Sequence, residues 1–228
     1  MPLYKTISVS SDTCLYLWKI EETIEELLGG VSLCENSKLR LNKMLSTVHQ
    51  CGFVSIRHLL KVAGYSDFDL LYESCGRPYL TDGKNISISH SHQFTGIIIS
   101  NQKVGIDIEK HRDKILRIAN KFTPLKEYRT LANDEAVIQK LTIVWCIKEA
   151  LYKMYEQDGV SFLNNIDVAD FDFDDRFTTA DISFNGKRNN YEVKFFEFEG
   201  FACAYTLADG FPKEKNNLKL LTNDHSLR

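Results

Sequence analysis

The sequence predicts an α+β fold of two similar lobes, each a small antiparallel sheet with packed helices. Helical and strand-like patterns recur in both halves, and the strands follow one another through short polar turns. Size agrees: 228 residues, 43% hydrophobic and 26% charged, suffice for one large domain or two small ones packed together. The halves divide near residues 101–104, which gives lobes at 1–103 and 104–228 with a site expected at their interface. Self-similarity between the halves is too weak to define a repeat.

In chain order, Leu3 to Ile20 reads as two strands around a Ser10-Ser11-Asp12 turn, because β-branched and aromatic residues recur there. Glu21 to Leu28 is a short helix stopped by Gly29-Gly30. Helical periodicity runs on from Asn36 to Ala63, with a break expected near Gly52 and an end at Gly64. Turn signals at Gly76-Arg77-Pro78 and Asp82-Gly83 precede three strands, Asn85–Ser89, Phe94–Ser100 and Val104–Glu109. The polar turn Asn101-Gln102-Lys103 is expected to join the last two as a hairpin. Thr123-Pro124 has the form of a helix start, an N-cap followed by proline, with Glu127 close to capping-box spacing. Asp134 to Gln157 is the longest helix, stopping near Gly159. Strands resume from Asn165, with an Asn185-Gly186 turn and a final pair, Tyr191–Phe198 and Phe201–Leu207. The last dozen residues are polar.

Composition excludes several classes. A net charge of −3 argues against a general nucleic-acid binder, which would be strongly basic. Cysteines 14, 34, 51, 75, 146 and 203 are scattered, with no C-x-x-C pair and no Cys/His ligand spacing. Free thiols in a reducing cytoplasm are expected. Met1-Pro2-Leu3-Tyr4-Lys5 lacks the apolar core of a signal peptide. Apolar runs such as Phe94 to Ile99 are strand-sized, far short of a membrane span. The expectation is a cytoplasmic protein with no membrane and no nucleic-acid partner.

Two stretches carry chemistry. Gly105-Ile106-Asp107-Ile108-Glu109 alternates with period two, so a strand here puts both carboxylates on one face and both isoleucines on the other. Trp145, Glu149 and Lys153 stand at i, i+4, i+8 on one stripe of the long helix. Taken singly, Asp107 and Glu109 read as a solvated strand face, Glu149 and Lys153 as a surface ion pair, and Lys148 as an exposed lysine. Together they could hold a hard divalent cation against a phosphate, since magnesium takes few carboxylates and leaves its other positions to water and phosphate. Upstream, Ile86-Ser87-Ile88-Ser89-His90-Ser91 can turn a hydroxyl, an amide and an imidazole toward an anion. Arg77 adds a guanidinium suited to bidentate phosphate contact.

Gly76-Arg77-Pro78, Ile86 to Ser91, Gly105 to Glu109 and Trp145 to Lys153 stand in the order and spacing typical of 4′-phosphopantetheinyl transferases, which the chain resembles. Lys121 to Tyr128 resembles that family's link between the acidic strand and the long helix. In length the chain is similar to the two-lobed, monomeric Sfp-type subgroup. The resemblance implies transfer of the phosphopantetheine arm of coenzyme A to a serine of an apo acyl or peptidyl carrier protein, in fatty-acid, polyketide or nonribosomal peptide synthesis. It implies Mg²⁺, with Mn²⁺ as an alternative, held by Asp107, Glu109 and Glu149. Arg77, Ser89, His90, Lys148 and Lys153 would hold the phosphates of coenzyme A. Glu149 would act as base, or Lys153 if its pKa were depressed, with Asp107 completing the catalytic set. The family's basic residue in the N-terminal helical region is missing from Ser46 to Cys51, where Arg40, Lys43, His49 or Arg57 would have to substitute. His92 reads as an exposed or supporting group.

Seven lysines and arginines lie between Lys110 and Arg129 against Asp113 and Glu127, a solvated helical face or a docking surface for an acidic carrier. The alternative to an enzyme is a non-catalytic binder of coenzyme A or carrier protein. A two-carboxylate nuclease or phosphatase is disfavoured by the acidic net charge.

Overall fold

In the computed structural model of the protein, residues 3–124 and 133–212 are described. The architecture is α+β, with two antiparallel sheets. The first sheet contains β1 (Leu3–Ser8), β2 (Cys14–Lys19), β3 (Leu70–Tyr72), β4 (Pro78–Leu80), β5 (Asn85–Ser91) and β6 (Phe94–Ser100), in the spatial order β1-β2-β6-β5-β4-β3. The second contains β7 (Val104–Lys110), β8 (Ile166–Val168), β9 (Phe177–Phe184), β10 (Lys187–Phe198) and β11 (Phe201–Leu207), in the order β7-β11-β10-β9-β8. Helices α1 (Ile24–Gly29), α2 (Glu35–Asn42) and α3 (Thr47–Val62) accompany the first sheet. With the second come α4 (Lys114–Ile118), α5 (Asp134–Tyr155) and α6 (Phe162–Asn165).

Local chemistry sets the helix limits. Thr23 and Glu26 form a reciprocal capping box at the start of α1. Asn133 caps α5 through the Ala136 amide at 2.9 Å, and Asp134 and Glu135 place negative charge on its first turn. The helix ends where Glu156 turns left-handed, at φ 58°.

Each long helix buries one apolar face. Leu59 and Leu60 of α3 pack on Trp18, Ile86 and Ile97 of the first sheet. Ile147, Ala150 and Leu151 of α5 pack on Val193, Ala202 and Ala204 of the second. A further apolar layer joins Leu15, Leu17, Phe94 and Ile98 to Ile106, Ile108, Phe201 and Cys203. The isoleucines of β7 thus face this layer, while its acidic residues face α5.

Three sequence expectations change. Residues 101–103 do not close a hairpin: β6 and β7 lie in different sheets, and β7 pairs with β11 throughout its length. Helix α3 runs unbroken through Gly52, and the helical region is interrupted instead before Thr47. Glycine is needed there because a Cβ would lie 2.8 Å from the His90 ring. The short strands β3 and β4 were not anticipated. The helix start at Thr123-Pro124 and its Glu127 run into residues 125–132, which, like the polar C-terminal dozen, lie outside the described residues. The cysteines described are all free.

Buried beneath α2 and α3 is an ion pair, Arg57 Nε to Asp67 Oδ1 at 2.7 Å, with both side chains 1% exposed. Asp67 also accepts from the Cys34 amide and the Ser37 hydroxyl, and Arg57 donates to the Phe53 carbonyl. Burial alone would raise the Asp67 pKa, but the Arg57 charge and these hydrogen bonds outweigh it and hold the carboxyl below its ordinary 3.8. A lowered folded pKa means this stabilisation is complete above 3.8 and is lost as pH falls toward the folded value. Asp67→Ala, which strands the guanidinium, is therefore expected to cost about 3–5 kcal/mol in urea unfolding at neutral pH. The gap to wild type should narrow under acid, and a cost below about 1 kcal/mol would contradict the assignment.

Candidate active site

The free edge of β7 organises the site. One edge pairs with β11; on the other, the amides of Ile106, Ile108 and Lys110 have no pairing strand among the described residues. The hydroxyls of Ser87, Ser89 and Ser91 accept these three amides at 3.1, 3.0 and 3.3 Å. Alternation makes this possible, because every second side chain of β5 leaves the first sheet on the side of β7. Two of the serines also donate onward, Ser89 to Asp107 Oδ1 at 2.9 Å and Ser91 to Glu109 Oε2 at 3.2 Å. One ladder therefore joins the two sheets and aims both carboxylates.

Helix α5 closes the other side. Lys153 Nζ donates to Asp107 Oδ1 at 2.8 Å and to the Ile106 carbonyl at 3.0 Å. Gly105 permits this approach, since a Cβ there would sit 1.8 Å from the Ala150 carbonyl oxygen. Across the β7–β11 ladder, Asp107 and Glu109 stand opposite Ala204 and Ala202, whose small side chains leave room for α5.

The carboxylates feel one another. Burial first, then the Asp107 charge, pushes Glu149 up to about 7, against the pull of Lys153. Burial and Asp107 likewise raise Glu109. Asp107 is 5% exposed, and its Oδ2 is buried without a hydrogen-bond partner among the described residues. For Lys153, burial opposes the charge, but Asp107 and then Glu149 outweigh it, so its pKa is raised. Carboxylates rather than cations surround this lysine, and the depressed pKa a lysine base would need is not what its environment favours.

Beside this cluster a cleft of about 980 Å³ opens between the sheets. Arg40, His49, Arg77, His90, Lys103, Lys153 and Glu156 are among its walls. Arg40 lies over the Tyr72 ring at 4.6 Å. His90 stands 5.8 Å from His49 ring to ring, and burial, then the His49 and Lys153 charges, pushes its pKa down.

The other expected residues separate. Lys148 faces away from the cleft into the second lobe's interior: it is 2% exposed and donates to the carbonyls of Phe122, Phe162 and Ile166. Trp145 leaves the site for an aromatic cluster with Phe122 and Phe162, at 5.0 and 5.4 Å. Ser89 spends its hydroxyl between Ile108 and Asp107 rather than facing the cleft. Of the N-terminal cations, Arg40 and His49 line the cleft, Lys43 does not, and Arg57 is committed to Asp67. His92 occupies the exposed turn between β5 and β6 at φ 52°. Sequence reasoning missed Lys103 and Glu156, which carry no motif, and the ladder role of the serines, for which the period-two spacing of 87, 89 and 91 was the available signal.

Residues 103–206 match the family model described as the 4′-phosphopantetheinyl transferase superfamily, so this segment, a little under half of the chain, is similar to that superfamily. The segment holds β7, α5 and all three carboxylates. A curated relative, 4'-phosphopantetheinyl transferase gsp of Aneurinibacillus migulanus, is 26% identical over 156 residues, or 65% of this chain. The match spans 62% of that relative's length.

Gly105→Ala is expected to force α5 away from β7 and cost about 1–3 kcal/mol in urea unfolding. Gly29→Ala, where an added Cβ meets nothing within 4 Å, should change stability by no more than about 0.5 kcal/mol. Equal effects would mean that the helix does not depend on the missing side chain.

Proposed function

We propose that the protein is a 4′-phosphopantetheinyl transferase of the Sfp type. It would move the phosphopantetheine arm of coenzyme A to a serine of an apo acyl or peptidyl carrier protein and release adenosine 3′,5′-bisphosphate. The observation that carries this reading is the meeting of Asp107, Glu109, Glu149 and Lys153 beside a cationic cleft large enough for a nucleotide. The superfamily match over the same segment supports it. In this reading the lobes are 1–103 and 104–228, the site lies between them, and the protein acts as a monomer. Among the described residues no helix is long and apolar enough to cross a membrane, which suits a diffusible carrier substrate.

Among the described residues no three acidic, histidine or cysteine side chains are already gathered at metal-ligand spacing. The donor chemistry nonetheless fits magnesium: all three candidate groups are carboxylates, the Asp107 Oδ2 is buried without a partner among the described residues, and burial together with the Asp107 charge raises both Glu109 and Glu149. Asp107, Glu109 and Glu149 would hold the ion, which when bound supplies positive charge against the diphosphate.

The chain's own groups supply the rest. Arg77, Arg40 and His49 would grip the nucleotide phosphates, with His90 between them and the diphosphate. Lys153, kept protonated by Asp107, offers positive charge where the bridging oxygen departs. The carrier serine oxygen forms the new bond to the phosphorus on the pantetheine side, the bridging P–O bond breaks, and Glu149 takes the serine proton. Ser89 and Ser91 keep the carboxylates aimed while this happens. The exposed Arg112, Lys114, Arg117 and Lys121, with the half-buried Lys110, would receive an acidic carrier; Lys126 and Arg129 lie outside the described residues.

The test is mass spectrometry of an apo carrier after incubation with the protein, coenzyme A and Mg²⁺. A gain of one phosphopantetheine is expected, with Asp107→Ala and Glu149→Gln each slower by roughly a hundredfold or more. Arg112→Glu should raise KM for the carrier and leave that for coenzyme A unchanged. Coenzyme A binding without transfer to any of several carriers would favour the non-catalytic alternative.

A further inference from the structure

Glu73, Glu156 and Asp158 are the acidic residues described in the cleft wall; Glu73 reaches Arg77 Nη1 at 3.4 Å, but among the described residues Glu156 alone binds two of the cations that the expected ligand needs. Its Oε2 lies 2.6 Å from Lys103 Nζ and 3.2 Å from Arg77 Nη1. Its backbone carbonyl also accepts from Arg77 Nη2 at 3.3 Å. The three side chains come from three places: the turn before β4, the link between the sheets, and the end of α5. All three line the cleft. The Glu156 side chain is 14% exposed, against 33% for Arg77 and 53% for Lys103, so the carboxylate sits inward of the cations it binds.

The backbone makes the choice of residue pointed. Glu156 has φ 58°, a left-handed conformation that asparagine, aspartate and glycine adopt more readily than glutamate. That conformation ends the helix and turns the side chain back between Arg77 and Lys103, one turn beyond Lys153, which serves the carboxylate cluster.

We infer that Glu156 is a resident counter-anion: it holds Arg77 and Lys103 in position and is displaced by a phosphate of the incoming nucleotide, so its charge sets the cleft's affinity for phosphorylated ligands. A phosphate offers more charge and more acceptor oxygens than one carboxylate, and it matches the guanidinium fork in two-point contact. Arg77 is then handed from one anion to another instead of being stripped of water. A ligand without phosphate at that place gains nothing by the exchange and leaves the ion pairs intact. The residue thus works as a threshold against unphosphorylated nucleosides. This rests on the coenzyme A reading above and names the residue that governs phosphate affinity within it.

Calorimetric titration of adenosine 3′,5′-bisphosphate and of adenosine into wild type, Glu156→Gln and Glu156→Asn tests the inference. Gln keeps the size and hydrogen bonding without the charge, and Asn tolerates the left-handed backbone should the longer amide disturb the fold. The bisphosphate is expected to bind roughly fivefold tighter or better to both variants, with the gain shrinking as salt rises. Adenosine should behave alike in all three proteins, a split that a purely structural role would not produce. Equal or weaker bisphosphate binding in the variants overturns the inference and leaves the transferase reading standing if carriers are still modified. No binding of the bisphosphate or of coenzyme A to any of the three proteins overturns both.

Discussion

A β-strand edge carries donors and acceptors that must be satisfied, and in this protein the free edge of β7 is satisfied by side chains. Backbone pairing is unavailable: β5, the strand facing it, already has β4 and β6 as neighbours in its own sheet. Hydroxyls at every second residue solve the problem, because a serine side chain reaches from one sheet face to another strand's edge. Each contact is worth about 1 kcal/mol as a net hydrogen bond, but leaving a buried amide without one costs more. The ladder also fixes register. A slip of β5 by one residue would present Ile86, Ile88 and His90 to the edge in place of the serines.

The charged site follows from that junction. With β7 anchored, its acidic face has one way to point, into the space that Gly105 opens for α5. Burial first, and then the crowding of the carboxylates, raises the pKa of Glu109 and Glu149, and the same charges hold Lys153. The last turn of α5 then reaches the cleft, where Glu156 meets Arg77 and Lys103. One helix therefore serves both the acidic cluster and the cationic wall, and the packing of Gly105 against Ala150 sets its position for both.

Much of this was legible in the sequence because it depends on local periodicity. Alternation through Gly105 to Glu109 placed the two carboxylates on one face of a strand, and the spacing of Glu149 and Lys153 placed them on one helical stripe. Long-range contacts were not legible. Residues 101–103 have the composition of a hairpin turn, yet whether β7 pairs back on β6 or forward on β11 is decided by strands a hundred residues away. Gly52 reads as a helix breaker until the His90 ring is seen against it. Lys148 shares a motif with Glu149, but one residue along a helix turns a side chain by about 100°, which carries it into the lobe interior. Arg57 has the same composition signal as Arg40, and only burial against Asp67 distinguishes them. Glu156 was invisible because nothing local announces a glutamate in a left-handed cap.

The most direct measurement is amide hydrogen exchange along β7, residue by residue. If the hydroxyls of β5 close this edge, Ile106 and Ile108 will be protected as strongly as Asp107, whose amide faces β11, and Ser89→Ala will speed exchange at Ile108 while sparing Asp107. Fast exchange at Ile106 and Ile108 in the wild-type protein, or an Ile108 rate indifferent to Ser89→Ala, would contradict the account.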